Sequence, residues 1–328
     1  MLGRTQKALW RIVRLSNVKE FTETVVENVE KVIVGKRDTI ELAILVLLCE
    51  GHILIEDVPG VGKTMLARSL AVSLGCSFKR VQFTPDLLPN DVTGVSVYNQ
   101  RTGDFEFRPG PTFANILLAD EINRATPRTQ SSLLECMGER QVTVDGVTHQ
   151  LARPYLVMAT QNPVEFEGTF PLPEAQLDRF FVRLDIGYPS LEDERAILDS
   201  QRLSHPIDSL TQVTDAQALI ECQDAIGEIH VERSVVDYIL AVTRGTREHR
   251  DVALGASPRG SLALYRLAQS MAAARGRSFV IPDDVKGLAK YALSHRIIMK
   301  PESQLRGTRQ EEVVESVMES LEVPIRSD

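Results

Sequence analysis

The sequence lacks three features that would assign it to particular classes of protein. Its four cysteines are far apart and show none of the paired spacings of zinc or redox sites. The longest apolar run, residues 43–49, is too short to cross a membrane. Basic residues do not predominate, since 37 lysines and arginines stand against 45 aspartates and glutamates, a net charge of −8. These absences predict a reduced, cytoplasmic chain without stable membrane insertion, whose surface as a whole is not a nucleic-acid footprint.

The remaining pattern divides the 328 residues into three parts. Residues 1–19 carry five basic residues and no acidic one. We expect a basic N-terminal arm that is solvated or loosely docked, with a membrane-surface or transit-like helix as the alternative. Residues 20–188 alternate short apolar strands with helical patterns, which is typical of an α/β domain with a parallel sheet. Beyond a boundary near residue 189 the strands stop, and residues 189–328 are predicted to form a helical domain.

Two inserts interrupt the alternation of strands and helices in the predicted α/β domain. Between Thr93 and Pro109, apolar and polar residues alternate around Arg101, Thr102 and Gly103, which predicts a β-hairpin. Residues 141–151 place a two-residue turn signal, Asp145-Gly146, between two further alternating runs. Five buried strands are predicted for the sheet, at residues 52–56, 78–83, 115–121, 155–161 and 181–186.

The stretch EDVPGVGKT, residues 56–64, is similar to a phosphate-binding loop, G-x-x-x-x-G-K-[ST]. It differs at its first position, where Asp57 replaces the usual glycine. A predicted strand precedes it and an amphipathic helix follows, which is the context of a working loop. Lys63 would reach the β- and γ-phosphates, and the Thr64 hydroxyl would bind Mg²⁺. The predicted ATP-binding segment is Pro59, Gly60, Val61, Gly62, Lys63, Thr64 and Met65.

Polar residues at the ends of two later strands complete a candidate catalytic set. Asp120 and Glu121 end the predicted third strand, at the edge where open α/β sheets bind ligands. Asp120 suits a Mg²⁺ ligand, and Glu121 suits the base that deprotonates an attacking water. Asn162, after the fourth strand, would hold that water against the γ-phosphate, although a simple turn former before Pro163 is an equal alternative.

Two arginines, Arg179 and Arg259, are further candidates for residues that carry chemistry. Arg179 stands at the start of the fifth strand and Arg259 in the first turn of a predicted helix. Arg179 has a structural alternative, because Asp178 and Asp185 are near it in sequence and would form ion pairs. Arg259 would otherwise be a solvated cation at a helix start.

Five strings, EDVPGVGKT, LLADEINRA, MATQNP, PLPEAQLDRF and GASPRG, in this order and spacing resemble the MoxR family of AAA+ ATPases. The resemblance extends from about residue 20 to the C-terminal region. It implies an AAA+ P-loop core, with a five-stranded parallel sheet flanked by helices and β-hairpin inserts, followed by an all-α lid. By the same resemblance Pro59 to Thr64 match Walker A, Asp120 and Glu121 Walker B, Asn162 sensor 1, Arg179 the arginine finger and Arg259 sensor 2.

The resemblance also implies a function and partners. The expected activity is Mg²⁺-dependent ATP hydrolysis in a ring, with six subunits expected, because an arginine finger acts in a neighbouring subunit's site. Implied partners are a protein with a von Willebrand factor A domain and a client protein complex, matured in a chaperone-like way, sometimes with metal or cofactor insertion. Asp57 departs from the general loop pattern, and a carboxylate there would repel phosphates unless it points away or meets a cation.

Two alternative functions belong to other classes. A nucleic-acid motor would need basic residues on the hairpin at residues 141–151, which has no lysine or arginine. A non-hydrolysing ATP-gated scaffold would not need a water-activating pair such as Glu121 and Asn162. The function of a small-molecule kinase would not account for Arg179 and Arg259 together with the two hairpins. Other arginines that the sequence offers for the subunit interface are Arg124, Arg128, Arg153 and Arg183.

Overall fold

A computed structural model describes residues 4–162, 168–202 and 204–324, with side chains from residue 17 onward. Most of the predicted basic arm therefore lies outside the described side chains. Its backbone from Arg4 belongs to helix α1 (Arg4–Glu30), which runs without interruption past the predicted boundary at residue 19. Val18, inside that predicted arm, is fully buried.

Helices and strands alternate through the first part of the chain. After α1, the helices up to residue 188 are α2 (Arg37–Leu48), α3 (Lys63–Ser73), α4 (Pro89–Thr93), α5 (Pro127–Glu139) and α6 (Glu174–Leu177). The strands are β1 (Ile53–Glu56), β2 (Phe78–Gln82), β3 (Gly94–Asn99), β4 (Asp104–Pro109), β5 (Ile116–Asp120), β6 (Gln141–Val144), β7 (Val147–Gln150), β8 (Leu156–Gln161) and β9 (Val182–Leu184).

The central element is a five-stranded parallel sheet in the order β2-β5-β8-β1-β9. Ile53, Leu54 and Ile55 of β1 are fully buried, because helices cover both faces of the sheet. On one face Ile53 and Ile55 join a core with α1, α2 and α3; on the other, Leu54 joins a core with α5. The five predicted strands are confirmed.

One detail of the strand prediction is wrong. Strand β2 was expected to be buried, but it lies at the edge of the sheet, and its side chains at Lys79, Arg80 and Gln82 are exposed. Only Val81 of this strand is buried. An edge position leaves one side of a strand open to solvent and to ligands.

Both predicted hairpins are confirmed. Strands β3 and β4 pair antiparallel, as do β6 and β7. Asp145 and Gly146 have φ values of 51° and 80°, the left-handed pair that a tight two-residue hairpin turn requires. The hairpins touch each other, since the rings of Phe107 and His149 stack with centroids 3.9 Å apart.

The second part of the chain is mainly helical. It comprises α7 (Leu191–Ser200), α8 (Ala216–Ile226), α9 (Arg233–Glu248), α10 (Pro258–Ala274), α11 (Pro282–Leu293), α12 (Pro301–Leu305) and α13 (Gln310–Ser320). The expectation that strands stop at residue 188 is wrong, because β10 (Val252–Leu254) and β11 (Ile298–Met299) form a small antiparallel sheet. Strands of two or three residues are too short to show alternation in sequence.

The helical part is packed tightly onto the sheet part. One hydrophobic cluster contains residues of α1 and α2 together with residues of α8, α10 and α11. Buried polar bonds reinforce it: Ser270 donates to the carbonyl of Leu45 at 3.1 Å, and Gln223 donates to that of Leu47 at 2.8 Å. The division at residue 189 stays a prediction; it falls between β9 and α7. None of the described helices is long and apolar enough to span a membrane.

Candidate active site

A cleft of about 370 Å³ lies at the carboxyl edge of the parallel sheet. Such an edge is where open α/β sheets bind ligands, since loops and helix N-termini converge there. The cleft brings together residues from the phosphate-binding loop and from the ends of β2, β5 and β8. Its lining consists of Pro59, Gly60, Gly62, Lys63, Thr64, Met65, Arg80, Gln82, Asp120, Glu121, Thr160 and Asn162.

The loop before α3 has a backbone that only glycine adopts easily. Gly60 and Gly62 have φ values of 88° and 94°, and no atom lies within 4 Å of where a Cβ of Gly60 would be. The loop is therefore open to a ligand at this point. Helix α3 begins directly afterwards at Lys63, so its unpaired N–H groups and positive dipole end face the cleft. This combination suits a phosphate group.

Asp57 does not face the phosphate side of the loop. Its carboxylate is buried and accepts hydrogen bonds from the backbone N–H groups of Val58, Ile186 and Gly187, each at 2.7 Å. Ile186 and Gly187 follow β9, so Asp57 ties the loop to the edge of the sheet. The charge that seemed out of place in the sequence is thus compensated by three donors.

The side chain of Lys63 is bonded to the backbone at the start of the loop. Its Nζ donates to the carbonyl oxygen of Asp57. Partial burial lowers the pKa of Lys63, while the carboxylates of Asp57, Asp120 and Glu121 act in the opposite direction. The lysine therefore lies in a polar cleft that contains acids of its own, and a polyanionic ligand would add to their effect.

Asp120, at the end of β5, is bonded on both oxygens. Its Oδ2 accepts from Nε and Nη2 of Arg80 at 3.0 and 2.7 Å, and its Oδ1 accepts from the Thr160 hydroxyl at 2.6 Å. A carboxylate that lines the same cleft as the Thr64 hydroxyl fits Mg²⁺, which proteins bind through one or two oxygen ligands together with substrate phosphates. The donors present, Asp120 and Thr64, fit that ion.

Glu121 occupies a left-handed backbone conformation, with φ of 55°. Non-glycine residues in this region are often found at functional sites, where the surrounding structure compensates the strain. Its N–H donates to the Thr160 hydroxyl at 2.8 Å, and its Oε2 accepts from Gln82 at 2.6 Å and from Arg124 at 2.9 Å. The carboxylate is thereby aimed into the cleft. Asn162, after β8, is buried and lines the same cleft.

The two predicted catalytic arginines do not line this cleft in the described part of the chain. Arg179 lies against α5, where its Nη1 donates to the carbonyl of Leu134 at 2.8 Å, in a separate groove that Glu135 and Glu139 also line. Arg259 is exposed in the first turn of α10. Its helix is capped by Ser257, whose hydroxyl donates to Asp178 at 2.8 Å. The start of α10 thereby contacts the residue before Arg179.

Several of the other arginines have partners within the chain. Arg153 pairs with Glu50 and Asp224, and Arg183 with Glu56 and Glu311. Arg124 pairs with Glu121. Arg128 is exposed at the start of α5.

Three residues of the cleft were missed by the sequence reasoning. Arg80 and Gln82 contact the two acids from β2, and Thr160 contacts both from β8. The signal in the sequence was the alternation of side chains along β2, which places Arg80 and Gln82 on the same face near the carboxyl end of that strand. Asp120 lies at the same carboxyl edge of the sheet. Using it required the strand order, which places β2 beside β5.

The sheet order, the glycine loop before α3 and the two acids at the end of β5 define a P-loop ATPase of the AAA+ class. A family model described as "ATPase family associated with various cellular activities (AAA)" matches residues 52–182, and a model of the AAA lid domain matches residues 244–317.

Relatives of known name make the assignment more specific. The chain is 53% identical to the uncharacterised protein YeaC of Bacillus subtilis over 92% of this chain and 94% of that protein. It is 40% identical to the chaperone MoxR1 of Mycobacterium tuberculosis over 92% of this chain and 82% of that protein. It is 36% identical to a presumed ATPase of Cytophaga hutchinsonii. The crystal structure of that protein superposes with a TM-score of 0.89 over 98% of this chain and 99% of that chain. The chain belongs to the MoxR family of AAA+ ATPases, and its activity is ATP hydrolysis.

Proposed function

We propose that this chain is a cytoplasmic, Mg²⁺-dependent ATPase that works as a closed ring, with six subunits expected, and uses hydrolysis for chaperone-like remodelling of partner proteins. One observation carries the proposal. The loop residues Lys63 and Thr64, the acids Asp120 and Glu121, and Asn162 line one cleft, whereas Arg179 lies outside it. The arginine that lines the cleft, Arg80, is bonded to Asp120, so we assign the guanidinium for the γ-phosphate to a neighbouring subunit.

Within a subunit, we assign a role in hydrolysis to five residues of the cleft. Lys63 and the N-terminus of α3 would hold the phosphates, and Thr64 and Asp120 would hold Mg²⁺. Bound Mg²⁺ would neutralise negative charge on the β- and γ-phosphates. Asn162 orients the attacking water, and Glu121 accepts its proton. Hydrolysis therefore depends on Glu121 more strongly than nucleotide binding does.

Between subunits, we assign Arg179 to the neighbour's site. A guanidinium beside the γ-phosphate stabilises the charge that develops in the transition state. A head-to-tail interface of this kind closes into a ring when its rotation allows. We propose that Arg259 reaches the same neighbouring site, since Ser257 holds its helix start against Asp178, the residue before Arg179.

The remodelling role rests on the relative named chaperone MoxR1 and on the exposed hairpin. Tyr98 and Phe105 lie opposite each other on β3 and β4, with ring centroids 5.4 Å apart, and are 52% and 72% exposed. Exposed aromatic pairs of this kind suit contact with a polypeptide. A partner with a von Willebrand factor A domain, and metal or cofactor insertion into the client, follow from family resemblance alone.

The nucleic-acid motor remains the alternative in a different class. Strands β6 and β7 contain no lysine or arginine. On the other hairpin Arg101 and Arg108 are balanced by Asp104 and Glu106. Neither hairpin provides the excess of positive charge that phosphate binding needs. ATP turnover that rises on addition of DNA would favour this alternative.

A mixing experiment tests the proposal. Arg179→Ala and Glu121→Gln should each abolish ATP turnover as pure proteins. In mixed rings, the intact cleft of an Arg179→Ala subunit receives its arginine from a Glu121→Gln neighbour, so turnover should partly recover. No recovery, with mixed rings verified by co-purification through an affinity tag on one variant, would show that Arg179 does not act between subunits.

A further inference from the structure

Arg296, in the turn after α11, is a buried and fully bonded side chain at the junction of the two halves. Its side chain is 2% exposed. Its Nε donates to Asp178 Oδ1 at 2.7 Å, and its Nη1 also donates to the carbonyl of Ala292. Three further bonds go to backbone carbonyls of the segment that carries Arg179. All five N–H donors of the guanidinium therefore have acceptors.

Those three carbonyls lie on both sides of Arg179. Nη2 of Arg296 donates to the carbonyl of Asp178 at 3.2 Å and to that of Phe180 at 2.7 Å. Nη1 donates to the carbonyl of Phe181 at 3.2 Å. One rigid guanidinium thus restrains the backbone immediately before and after Arg179, although Arg296 itself lies more than a hundred residues later in the chain.

Asp178 extends the same network to α10. Its Oδ1 accepts from Arg296, and its Oδ2 accepts from the hydroxyl of Ser257 at 2.8 Å. Ser257 also caps α10, because its Oγ accepts from the N–H of Arg259 at 3.0 Å. We call Asp178, Ser257 and Arg296 the finger clamp.

We propose that Arg296 is a positioning residue for Arg179. Through the finger clamp, the position of Arg179 relative to the next subunit depends on the positions of α10 and α11. The proposal rests on the assignment of Arg179 to the neighbouring site. A shift of α10 or α11 in one subunit would then move the cation that completes catalysis in another. Arg296 acts only through Arg179 and touches no nucleotide.

The test compares Arg296→Met with a matched loss of a buried ion pair elsewhere in the helical half. Arg277 pairs with the buried Asp284 through bonds of 2.6 and 2.9 Å, and Arg277→Met removes them without touching the segment around Arg179. Arg296→Met should lower ATP turnover about 100-fold, the cost of misplacing a catalytic group by about 1 Å. Arg277→Met, at equal folded fraction, should keep turnover within about twofold.

Two further readouts separate positioning from a general structural role. Binding of a fluorescent ADP analogue should stay within about twofold in Arg296→Met, because the cleft of that subunit is intact. Turnover should recover when Arg296→Met is mixed with Glu121→Gln, as it should for Arg179→Ala. A loss that Glu121→Gln does not rescue, alongside rescue of Arg179→Ala, would overturn the clamp and leave the proposed function standing. Failure to rescue Arg179→Ala itself would overturn both.

Ser257→Ala keeps the test decisive if Arg296→Met does not fold. This change leaves the Asp178–Arg296 pair in place and removes the bond to α10. Its control is Asp215→Ala, which removes the equivalent cap of α8, where Asp215 accepts from the N–H of Ala218 at 2.8 Å. We expect Ser257→Ala to lose about tenfold in turnover with rescue by Glu121→Gln, and Asp215→Ala to lose less than about twofold. Equal effects of the two caps would overturn the proposal.

Discussion

At the scale of single residues, Asp57 shows how a departure from a motif can be structural. Its carboxylate accepts three backbone N–H groups and joins the loop to the end of β9. A glycine at this position would satisfy the general loop pattern but would leave these donors without their acceptor. The position is therefore constrained by the fold more than by the nucleotide.

The first prediction follows from those bonds. Asp57→Asn replaces one accepting oxygen by an NH₂ group that faces backbone donors, so the free energy of unfolding should fall by about 1–3 kcal/mol. Asp57→Gly, which restores the usual motif, should be at least as destabilising and should not tighten ATP binding. Denaturant unfolding and nucleotide titration measure the two effects. Tighter ATP binding by Asp57→Gly would mean that the carboxylate does repel phosphate.

A second prediction concerns the pH dependence of stability. Burial lowers the pKa of His52 from 6.5 to about 4; its Nδ1 accepts from the N–H of Val157, and its Nε2 lies 3.2 Å from the carbonyl of Met137. The folded state then binds fewer protons than the unfolded state, so stability should fall as pH drops from about 6.5 to 4. Buried His295, whose pKa is also lowered, adds to the loss.

Unfolding of wild type and His52→Asn across this pH range tests the assignment. The variant should be less stable at pH 7, because it loses packing and one hydrogen bond, but its stability should depend less steeply on pH. A variant curve parallel to that of wild type would show that His52 does not carry the effect.

At the scale of elements, the sequence predicted what local patterns encode. The strands of the sheet were predictable because residues such as Ile53 to Ile55 form short, fully apolar runs. The hairpin at Asp145-Gly146 was predictable because few residues accept its backbone conformation. Asp120 and Glu121 were predictable as residues of the site because they stand at the carboxyl end of a predicted strand.

Features that depend on distant partners were not predictable. Arg80 belongs to the cleft only because β2 pairs with β5, a pairing between strands that are not consecutive in sequence. Arg296 contacts a segment more than a hundred residues before it. Strands β10 and β11 are too short for a pattern, and each is a strand only because the other is beside it. Such features need the topology first.

The turn of the β6–β7 hairpin gives a prediction at this scale. Gly146 has φ of 80°, so Gly146→Ala should introduce about 1 kcal/mol of strain. Amide hydrogens of β6 and β7 should exchange about fivefold faster, while those of the sheet stay unchanged. Asp145→Asn is the control, because asparagine tolerates the left-handed conformation. Unchanged exchange in Gly146→Ala would argue that packing against Phe107, and not the turn, holds the hairpin.

At the scale of the whole molecule, the two halves are joined in two ways. A single hydrophobic cluster runs from α1 and α2 into α8, α10 and α11. The finger clamp then connects α10 and α11 to the segment that carries Arg179. A movement of the helical half is therefore expected to reach the surface that we assign to the next subunit, which is the coupling that the proposed ring needs.

The central claim is that hydrolysis requires assembly, because we assign Arg179, which lies outside the cleft of its own subunit, to the cleft of a neighbour. The most direct measurement is the rate of ATP turnover per subunit as protein concentration rises, with mass followed by light scattering in the same samples. The account predicts that turnover per subunit increases as the ring forms and is abolished in Glu121→Gln. Turnover that is constant from monomer to assembly would contradict it.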